Sequence, residues 1–560
     1  MASVAYFSME IALDERMPTY AGGLGVLAGD TLRSAADIDV PMVGVTLVHR
    51  RGYFHQHIDS SGRQTETPES WQVEARLAEQ VPRVSVVIEG RTVRLRAWKY
   101  TIEGVEREVP VYFLDADLPE HAAADRTLTH YLYGGDERYR LSQEVILGIG
   151  GVRMLRALGY GAIERFHMNE GHSALLALEL LGERLAGSGR RSATPDDIAA
   201  VRRLCVFTTH TPVPAGQDQF PPELAADVLG DGLLLGLKEH CCAEGRLNLT
   251  HTALSFSHYV NGVAMRHGEV SRKLFGGYTV DAITNGVHAA SWTSPEFEAL
   301  FDRHVPGWRR DNFSLRYALS ITREEIWNAH AGARTRLLDE IARLTGVRLR
   351  ADGFTIGFAR RATAYKRADL LLRAPGRLKT LGSGNGGLQI VYAGKAHPRD
   401  GDGKALIQTI HDAIAVLQPQ VPLVYLENYD LELARLLTAG VDLWLNTPLA
   451  PLEASGTSGM KAALNGVPSL SVLDGWWIEG HVEGVTGWAI GEREPAAPGV
   501  DRTLADAASM YDKLEDVILP MFHQRRDDYI DVMRHAVAMN GSFFNSHRML
   551  EEYVLKAYAL

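Results

Sequence analysis

Apolar runs and helix-forming segments alternate through the second half of the chain. Apolar runs of strand length occupy Phe354–Phe358, Leu388–Ala393, Leu423–Leu426 and Val441–Leu445. Segments with helical composition follow these runs at Ala364–Arg373, Leu406–Val416, Leu431–Ala439 and Met460–Leu464. Because strands that alternate with helices at this spacing build βαβ units, the pattern predicts a parallel, doubly wound sheet.

The first half predicts a second α/β region. Apolar strands are expected at Val4–Ser8 and Leu204–Thr208, and helices at Ser142–Leu158 and Ser173–Leu185. From Pro41 to Leu114 the short runs VGVTLVH, VSVVIEG, TVRLRAW and VPVYFL alternate in polarity, which predicts an antiparallel decoration of this region.

The chain of 560 residues is too long for a single core. A charged, helix-rich connector, Ser314–Gly346, separates the two α/β regions, and the end from Met510 is predicted helical with Pro520 as a break. We therefore expect an N-terminal α/β lobe over residues 1–315, a C-terminal α/β lobe over 316–525 and C-terminal helices over 526–560.

Charge and cysteine content narrow the class of protein. The net charge is −11, so no basic balance favours a nucleic-acid partner. Three cysteines, two of them adjacent, fit neither a disulfide framework nor a zinc site, and we expect a reduced, cytoplasmic protein without a metal. The N-terminus lacks the features of a signal peptide and no apolar run is long enough to span a membrane, so a membrane partner is not expected.

The block from Glu453 to Lys461 lies between a predicted strand and a predicted helix. Ser455, Thr457 and Ser458 offer hydroxyls and backbone N–H groups where a helix begins, a position that favours an anion. Lys461 follows about one turn later and could pair with that anion or carry a covalent cofactor. The alternative is an ordinary strand-to-helix turn with a solvated lysine.

Four cations within eight residues follow the strand that ends near Phe358: Arg360, Arg361, Lys366 and Arg367. Like charges repel at a partly desolvated strand end, so this cluster predicts a bound anion. A solvated basic face is the alternative.

Polar residues also mark strand ends in the first half. Glu170 and His172 follow one predicted strand and His210 follows another, and ligands of open α/β sheets collect at such carboxyl ends. Gly22 and Gly23 could bring backbone N–H groups close to an anion. The alternatives are structural histidines and a plain helix-start turn; a dinucleotide fingerprint is rejected because no strand immediately precedes the glycines.

One long string carries a resemblance to a known family. EASGTSGMKAALNGV, preceded by LENYDLELARLL and followed by SLSVLDGWWIEG, resembles the cofactor-lysine region of the α-glucan (glycogen, starch and maltodextrin) phosphorylases. The resemblance covers nearly the whole chain. It implies an α/β fold of two doubly wound Rossmann-like lobes facing a deep cleft, the glycosyltransferase B-type fold, with a terminal helix that crosses back to the first lobe.

The resemblance also implies roles for individual residues. Lys461 would hold pyridoxal 5'-phosphate. The implied cofactor-binding residues are Lys461, Thr457, Ser458, Gly23, Tyr429 and Arg360, with Glu427 in the segment lining the pocket. The implied substrate-binding residues are Gly22, Gly23, Asn285, Glu453, Ser455, Gly456, His172 and Glu170. The implied catalytic residues are Lys461, Arg361, Lys366 and His210, of which Arg361 and Lys366 would contact phosphate and His210 would face the reacting sugar. For Asn285, an Asn-Gly turn without a ligand is the alternative.

The implied reaction is reversible, retaining phosphorolysis. Orthophosphate would attack the terminal unit of an α-1,4-glucan or maltodextrin to give α-glucose 1-phosphate, and the cofactor's 5'-phosphate would move the proton. Thr363 and Ala364 depart from the family, which usually has His and Glu there. The chain starts near the family's YFSMEIA strand, so we expect no phosphorylation or nucleotide-effector control; a homo-oligomer is compatible with the resemblance.

Three other functions compete with this one. A nucleotide-sugar-dependent glucan synthase would share the architecture and the basic strand end but would not need Lys461. A catalytically silent carbohydrate-binding protein would not need the intact set of cations and His210. An aminotransferase-like pyridoxal enzyme would not need cations for a second phosphate.

Overall fold

The computed structural model describes residues 2–213, 217–230, 237–384, 386–492 and 500–559. The chain forms two units: unit 1 comprises Met1–Phe54, Pro68–Thr284 and Met549–Leu560, and unit 2 comprises His55–Thr67 and Asn285–Arg548.

The strands among the described residues are, in chain order, β1 (Val4–Ser8), β2 (Met42–Leu47), β3 (His55–Ile58), β4 (Gln64–Thr67), β5 (Ala78–Glu79), β6 (Val84–Ile88), β7 (Arg91–Glu103), β8 (Glu108–Asp115), β9 (Arg165–Asn169), β10 (Cys205–Thr208), β11 (Gln219–Phe220), β12 (Cys242–Ala243), β13 (Arg246–Asn248), β14 (Tyr259–Gly262), β15 (Asp281–Ala282), β16 (Phe354–Ala359), β17 (Leu388–Ala393), β18 (Leu423–Leu426), β19 (Leu443–Asn446), β20 (Ser469–Val472) and β21 (Gly487–Ile490).

The α-helices in the same residues are α1 (Gly23–Asp37), α2 (Ala123–Arg126), α3 (Glu137–Val145), α4 (Gly151–Ala157), α5 (Leu175–Gly187), α6 (Pro195–Arg202), α7 (Pro222–Leu229), α8 (Lys238–Cys241), α9 (Leu249–Ser255), α10 (Met265–Leu274), α11 (Ala289–Trp292), α12 (Pro295–His304), α13 (Arg323–Thr345), α14 (Pro375–Ser383), α15 (Gly401–Leu417), α16 (Leu431–Gly440), α17 (Ser458–Leu464), α18 (Trp477–Gly480), α19 (Thr503–Asp512), α20 (Leu519–Gln524), α21 (Arg526–His535) and α22 (Ser546–Tyr553).

The main sheet of unit 1 has the strand order β15, β14, β10, β9, β1, β2, β8, β7, β5, with β6 paired to β7. All neighbours from β15 to β8 are parallel, and β5, β6 and β7 are antiparallel. The strand order reverses between β1 and β9. The carboxyl ends of these two strands are therefore the topological switch point, where open α/β sheets bind ligands.

Both faces of this sheet are covered. Ala5 and Phe7 belong to a core that includes α4 and α5, whereas Val4 and Tyr6 belong to a core that includes α1 and side chains of residues 549–558. Because successive side chains of a strand point to opposite faces, a strand buried on both faces needs apolar residues throughout, as in β1.

The predicted antiparallel decoration over Pro41–Leu114 is confirmed for β6 and β7 and wrong for β2, and it holds for β8 on one side only, where β8 pairs antiparallel with β7. β2 pairs in parallel with β1, and β8 pairs in parallel with β2. All six residues of β2 are buried, so the strand lies inside the sheet rather than on a half-exposed surface. Periodicity alone does not separate these two positions.

Unit 2 contains a six-stranded parallel sheet among its described residues, in the order β18, β17, β16, β19, β20, β21. Numbered along the chain this order is 3-2-1-4-5-6, the doubly wound arrangement, with its switch point between β16 and β19. The alternation of strands and helices in the second half of the sequence is thus confirmed as a parallel α/β sheet.

Two helix predictions in this region are wrong in detail. The segment Ala364–Arg373 forms two 3-10 turns rather than a helix, because Arg367 between them has a left-handed backbone with φ of 46°. Pro520 does not break the terminal helices: it lies in α20, which follows directly on the π-helical turn Lys513–Ile518, and the helical run continues to Gln524, with Arg525 as its cap.

The units begin and end at other residues than the predicted domains 1–315, 316–525 and 526–560. The hairpin β3–β4 belongs to unit 2, where Gln56 Nε2 donates to Gly394 O (2.9 Å) and Gln64 Nε2 donates to Ala396 O (2.8 Å). These bonds join residues more than 330 positions apart, a pairing that no local pattern indicates.

Candidate active site

The switch point of unit 2 brings together the two loops that the sequence singled out. β16 and β19 are neighbours in the sheet, and the loops that follow them carry Arg360–Arg367 and Glu453–Lys461. Leu449 N donates to Tyr365 O at 2.7 Å and Thr447 Oγ1 donates to Lys366 O at 3.0 Å, so the two loops are directly bonded.

A buried carboxylate lies between two buried cations at this place. Glu453 Oε2 is 2.9 Å from Arg360 Nη1 and 2.5 Å from Lys366 Nζ. Burial would raise the pKa of Glu453, but the charges of Arg360 and Lys366 outweigh it and hold that pKa at about 2. Burial and the charge of Arg360 lower the pKa of Lys366, whose Nζ also lies 4.6 Å from the centre of the Tyr365 ring.

Arg360 and Arg361 differ in their surroundings. The side chain of Arg360 is 8% exposed and pairs with Glu453, whereas Arg361 is an exposed residue. The family resemblance implied the phosphate contact for Arg361 and a cofactor contact for Arg360. Within unit 2 the structure places Arg360, rather than Arg361, in the buried charge cluster.

The loop before α17 is shaped by a glycine with a left-handed backbone. Gly456 has φ of 88°, a conformation that favours glycine, and Ser455 O accepts a hydrogen bond from Trp476 N at 2.9 Å. Glu453 N donates to Asp474 Oδ2 at 2.8 Å. Ser455 Oγ is buried and has no hydrogen-bond partner among the described residues. A buried hydroxyl without a partner is costly, so this oxygen marks a place for a ligand.

Lys461 is buried in α17, with its Nζ 3.8 Å from the centre of the Trp292 ring. Asn465 fixes this contact, because its Nδ2 donates to Trp292 O (2.8 Å) and to Lys461 O (3.0 Å) while its Oδ1 accepts from Ser294 N (2.7 Å). Sequence reasoning did not select Trp292, Asn465 or Asp474. Asp474 lies in the quoted string SLSVLDGWWIEG, but no spacing rule indicated it.

The remaining predicted residues of unit 2 are placed as follows. Thr457 is the N-cap of α17 without a side-chain capping bond, and Ser458 Oγ accepts from Trp444 Nε1 at 3.1 Å. Asn285 is buried, and no described residue hydrogen-bonds its Oδ1. Burial raises the pKa of Tyr429, which is half-buried.

These residues fit an anionic group that carries an aldehyde. The two loops and α17 carry the buried amine of Lys461, the cations of Arg360 and Lys366 and the hydroxyl of Ser455, with Glu453 as the carboxylate that both cations share. Positive charge therefore exceeds negative charge in this cluster, and a phosphate-bearing cofactor would restore the balance.

The switch point of unit 1 carries different chemistry. Glu170 and His172 follow β9, and His210 follows the adjacent β10. The Glu170 carboxylate turns toward the protein: its Oε2 accepts from His210 N at 2.7 Å and from Thr211 Oγ1 at 3.0 Å. Burial raises the pKa of Glu170 to about 7 and lowers the pKa of His210 to about 3.

His172 belongs to a neighbouring buried network. Its Nε2 lies 3.4 Å from Asp218 Oδ2, and Arg140 Nη2 donates to the same oxygen at 3.1 Å. Burial, with the charge of Arg140, lowers the pKa of His172 to about 3. His172 is therefore a neutral hydrogen-bonding group at neutral pH.

The glycine turn that starts α1 faces a carboxylate. Glu10 Oε2 accepts from Ala21 N at 2.6 Å and from Gly22 N at 3.1 Å, and Tyr133 Oη donates to Glu10 Oε1 at 2.8 Å. In the described structure, the Gly22 N–H that was predicted to contact an anion donates to Glu10. A Cβ on Gly25 would lie 2.7 Å from Glu10 Oε2, which explains the need for glycine there.

Both units are thus α/β sheets with polar and charged groups gathered at their switch points, the arrangement of a ligand-binding or catalytic α/β protein. A family model described as carbohydrate phosphorylase matches residues 9–105 and 238–496. The chain belongs to the carbohydrate phosphorylase family.

Similar proteins carry phosphorylase names. The maltodextrin phosphorylase of Thermococcus litoralis is 37% identical over 99% of this chain and 70% of the relative. The glycogen phosphorylase of Mycobacterium bovis is 38% identical over 99% of this chain and 70% of the relative. The glycogen phosphorylase of Aquifex aeolicus is 34% identical over 99% of this chain and 86% of the relative.

Hydropathy adds one observation. Across the described ranges, no helix is both long enough and apolar enough to cross a membrane.

Proposed function

We propose that this protein is a hexosyltransferase, an α-1,4-glucan phosphorylase. It transfers the terminal glucosyl unit of a glucan or maltodextrin to orthophosphate, reversibly and with retention, to give α-glucose 1-phosphate. The observation that carries the proposal is the buried Arg360–Glu453–Lys366 cluster at the unit 2 switch point, in the same unit as the buried Lys461. The named relatives support this function over a nucleotide-sugar-dependent synthase.

The cofactor in this proposal is pyridoxal 5'-phosphate, held by Lys461. When bound, it supplies a phosphate that can exchange a proton with the substrate phosphate. Lys461 anchors the group, Ser455 and the start of α17 offer donors, and Tyr429 lines the pocket. Arg360, Arg361 and Lys366 supply the positive charge that holds phosphate beside the reacting sugar.

Two of the proposed sugar contacts are neutral groups. Asn285 offers an amide oxygen that no described residue hydrogen-bonds, and His210 offers a neutral imidazole because burial keeps its pKa at about 3. Neither group adds charge at neutral pH, so the positive charge of a glucosyl group in the transition state would be balanced by phosphate rather than opposed by a histidinium. Glu453 and Gly456 complete the proposed sugar contacts.

We further propose that the two units are the two Rossmann-like domains of the glycosyltransferase B-type fold. Each unit has a parallel sheet with its own switch point, which is what that fold requires. The described cysteines Cys205, Cys241 and Cys242 are free thiols, which supports a reducing compartment such as the cytoplasm.

The function is tested by assaying glucose 1-phosphate release from a maltooligosaccharide ladder and from glycogen with inorganic phosphate. The wild type releases it from at least one of the two, and Lys461→Ala releases none and retains no vitamin B6 compound. Lys273→Ala, an exposed lysine of α10, serves as the matched control and keeps both properties. A wild type that holds no B6 compound and splits no glucan with phosphate would refute the proposal.

A further inference from the structure

Two consecutive residues at the end of β9 both bond to His210. Asn169 Oδ1 lies 2.6 Å from His210 Nε2, and Glu170 Oε2 accepts from His210 N at 2.7 Å. One residue holds the ring and the other holds the backbone. Sequence reasoning assigned Glu170 to substrate and did not assign Asn169.

The bonds around Asn169 determine which ring nitrogen of His210 carries the proton. Ser8 Oγ donates to Glu10 O at 2.7 Å, so it accepts from Asn169 Nδ2 at 3.1 Å. With the amide nitrogen committed to Ser8, the amide oxygen faces His210 and can only accept. His210 therefore carries its proton on Nε2 and presents Nδ1 as a lone pair, since a neutral imidazole has one donor and one acceptor.

The backbone at Glu170 is unusual in a way that serves this contact. Glu170 has φ of 76°, which residues with a Cβ rarely adopt. Its Oε1 accepts from Gly171 N at 3.2 Å, while Oε2 accepts from His210 N and from Thr211 Oγ1. Both oxygens are thus engaged by the protein, and the residue is 6% exposed, so it is poorly placed to bind a sugar hydroxyl as well.

We propose that Asn169 and Glu170 are positioning residues for His210 rather than substrate contacts. Asn169 selects the Nε2–H tautomer, and Glu170 fixes the start of the segment after β10. Together they aim the Nδ1 lone pair of His210 at a hydroxyl of the glucosyl unit. This inference rests on the proposed function for its substrate, but the tautomer that it assigns does not.

A double-mutant cycle tests the positioning role. Glu170→Ala and Asn169→Ala each lower kcat/KM about 10²-fold in the wild type, the scale of a misplaced contact. In a His210→Ala background the same changes cost about twofold or less, because their effect passes through His210. Glu170→Gln recovers part of the loss, since its amide oxygen can still accept from His210 N.

Full additive losses in the His210→Ala background would overturn the proposal. Glu164→Gln, at an exposed residue directly before β9, is the matched control.

A second measurement does not depend on turnover. In ¹⁵N-histidine-labelled protein, the His210 resonance is assigned by its loss in His210→Ala. The wild type shows the Nε2–H tautomer, and Asn169→Ala shows a mixture or the other tautomer. A wild type with the proton on Nδ1, or an unchanged tautomer in Asn169→Ala, would refute the assignment even if the protein is a phosphorylase. Conversely, the expected tautomers in a protein without phosphorolytic activity would refute the proposed function alone.

Discussion

At its switch point unit 2 gathers buried cations around a carboxylate, whereas unit 1 gathers neutral histidines and hydrogen-bonded carboxyl groups. The topology is the same in both units: a parallel sheet whose order reverses between β16 and β19 in one and between β1 and β9 in the other. Position in the fold therefore indicates where a ligand binds, while the side chains decide what it is. Cations suit phosphate, and neutral donors and acceptors suit sugar hydroxyls.

Lowering the pH should destabilise unit 1 before it destabilises unit 2, and this is the largest effect that we expect. Burial lowers the pKa of a set of unit 1 histidines to about 4 or about 3: His49, His267, His167, His172 and His210. Unfolded histidine takes up a proton near pH 6.5, so stability falls as the pH drops from about 6.5 toward 3. Glu170, with its raised pKa, acts in the opposite sense but offsets about one histidine. The contribution of Glu453 is lost only below its unfolded pKa of about 4.5, as the pH falls toward 2.

Hydrogen exchange at pH 7.5 and pH 5 measures this difference. Peptides of the β9 and β10 region lose protection at the lower pH, and peptides of β16 and β19 keep theirs. Earlier loss in the unit 2 peptides would contradict the assignment of neutral histidines to unit 1.

Removing the shared carboxylate tests the charge cluster of unit 2. Glu453→Ala leaves Arg360 and Lys366 buried without their counter-ion, which costs roughly 3–5 kcal/mol of unfolding free energy. Inorganic phosphate should recover part of the loss in denaturant titrations, because an anion can replace the carboxylate. Glu427→Ala removes an exposed carboxylate of the same unit and should have little effect. A loss for Glu453→Ala no larger than that of this control would argue against a buried cluster.

Variants of the two neighbouring arginines distinguish a loss of stability from a loss of phosphate binding. Arg360→Ala breaks a buried ion pair and should cost about 1–3 kcal/mol, whereas Arg361→Ala should change stability by less than about 0.5 kcal/mol. We expect Arg361→Ala to raise the KM for phosphate without unfolding the protein. Equal stability losses for the two variants, read from urea midpoints, would show that the burial difference is not real.

The glycine turn of unit 1 gives a steric contrast of about the same size as that between the two arginines. A Cβ at Gly25 would meet Glu10 Oε2 at 2.7 Å and Tyr20 Cβ at 2.8 Å, so Gly25→Ala should cost about 1–3 kcal/mol. A Cβ at Gly23 meets nothing within 4 Å, and Gly23→Ala should stay within about 0.5 kcal/mol. Thermal unfolding of both variants measures the contrast, and the reverse ranking would contradict it.

The limits of sequence reasoning follow from the range over which contacts act. Apolar runs predicted four of the six parallel strands described in unit 2, β16 to β19, because strands buried on both faces have apolar sequences. The strands β20 and β21 were not predicted. The same reasoning gave β2 the wrong direction and missed that β8, antiparallel to β7, is parallel to β2, since these pairings join strands that are far apart in the chain. The hairpin β3–β4 joins unit 2 through long-range hydrogen bonds that no local stretch of sequence predicts.

For the candidate site, residue type was easier to predict than orientation. Lys461, Lys366 and Glu453 were selected from strings that hold unusual charge next to strand ends, and the structure buries all three. The direction of the Glu170 carboxylate depends on its backbone angle, which a sequence does not display. Trp292 and Asn465 act through their contact with Lys461. These partners cannot be predicted from the sequence, because the contact depends on how α17 packs against the segment that carries Trp292.

The most direct test of the account is to locate the cofactor on the chain. Borohydride reduction of purified protein fixes a pyridoxyl group to the amine that carries it, and peptide mass mapping then identifies that residue. We predict that the added mass lies on the peptide containing Lys461 and is absent from Lys461→Ala. No added mass, or one on another lysine, would contradict the claim that the unit 2 switch point is the cofactor site.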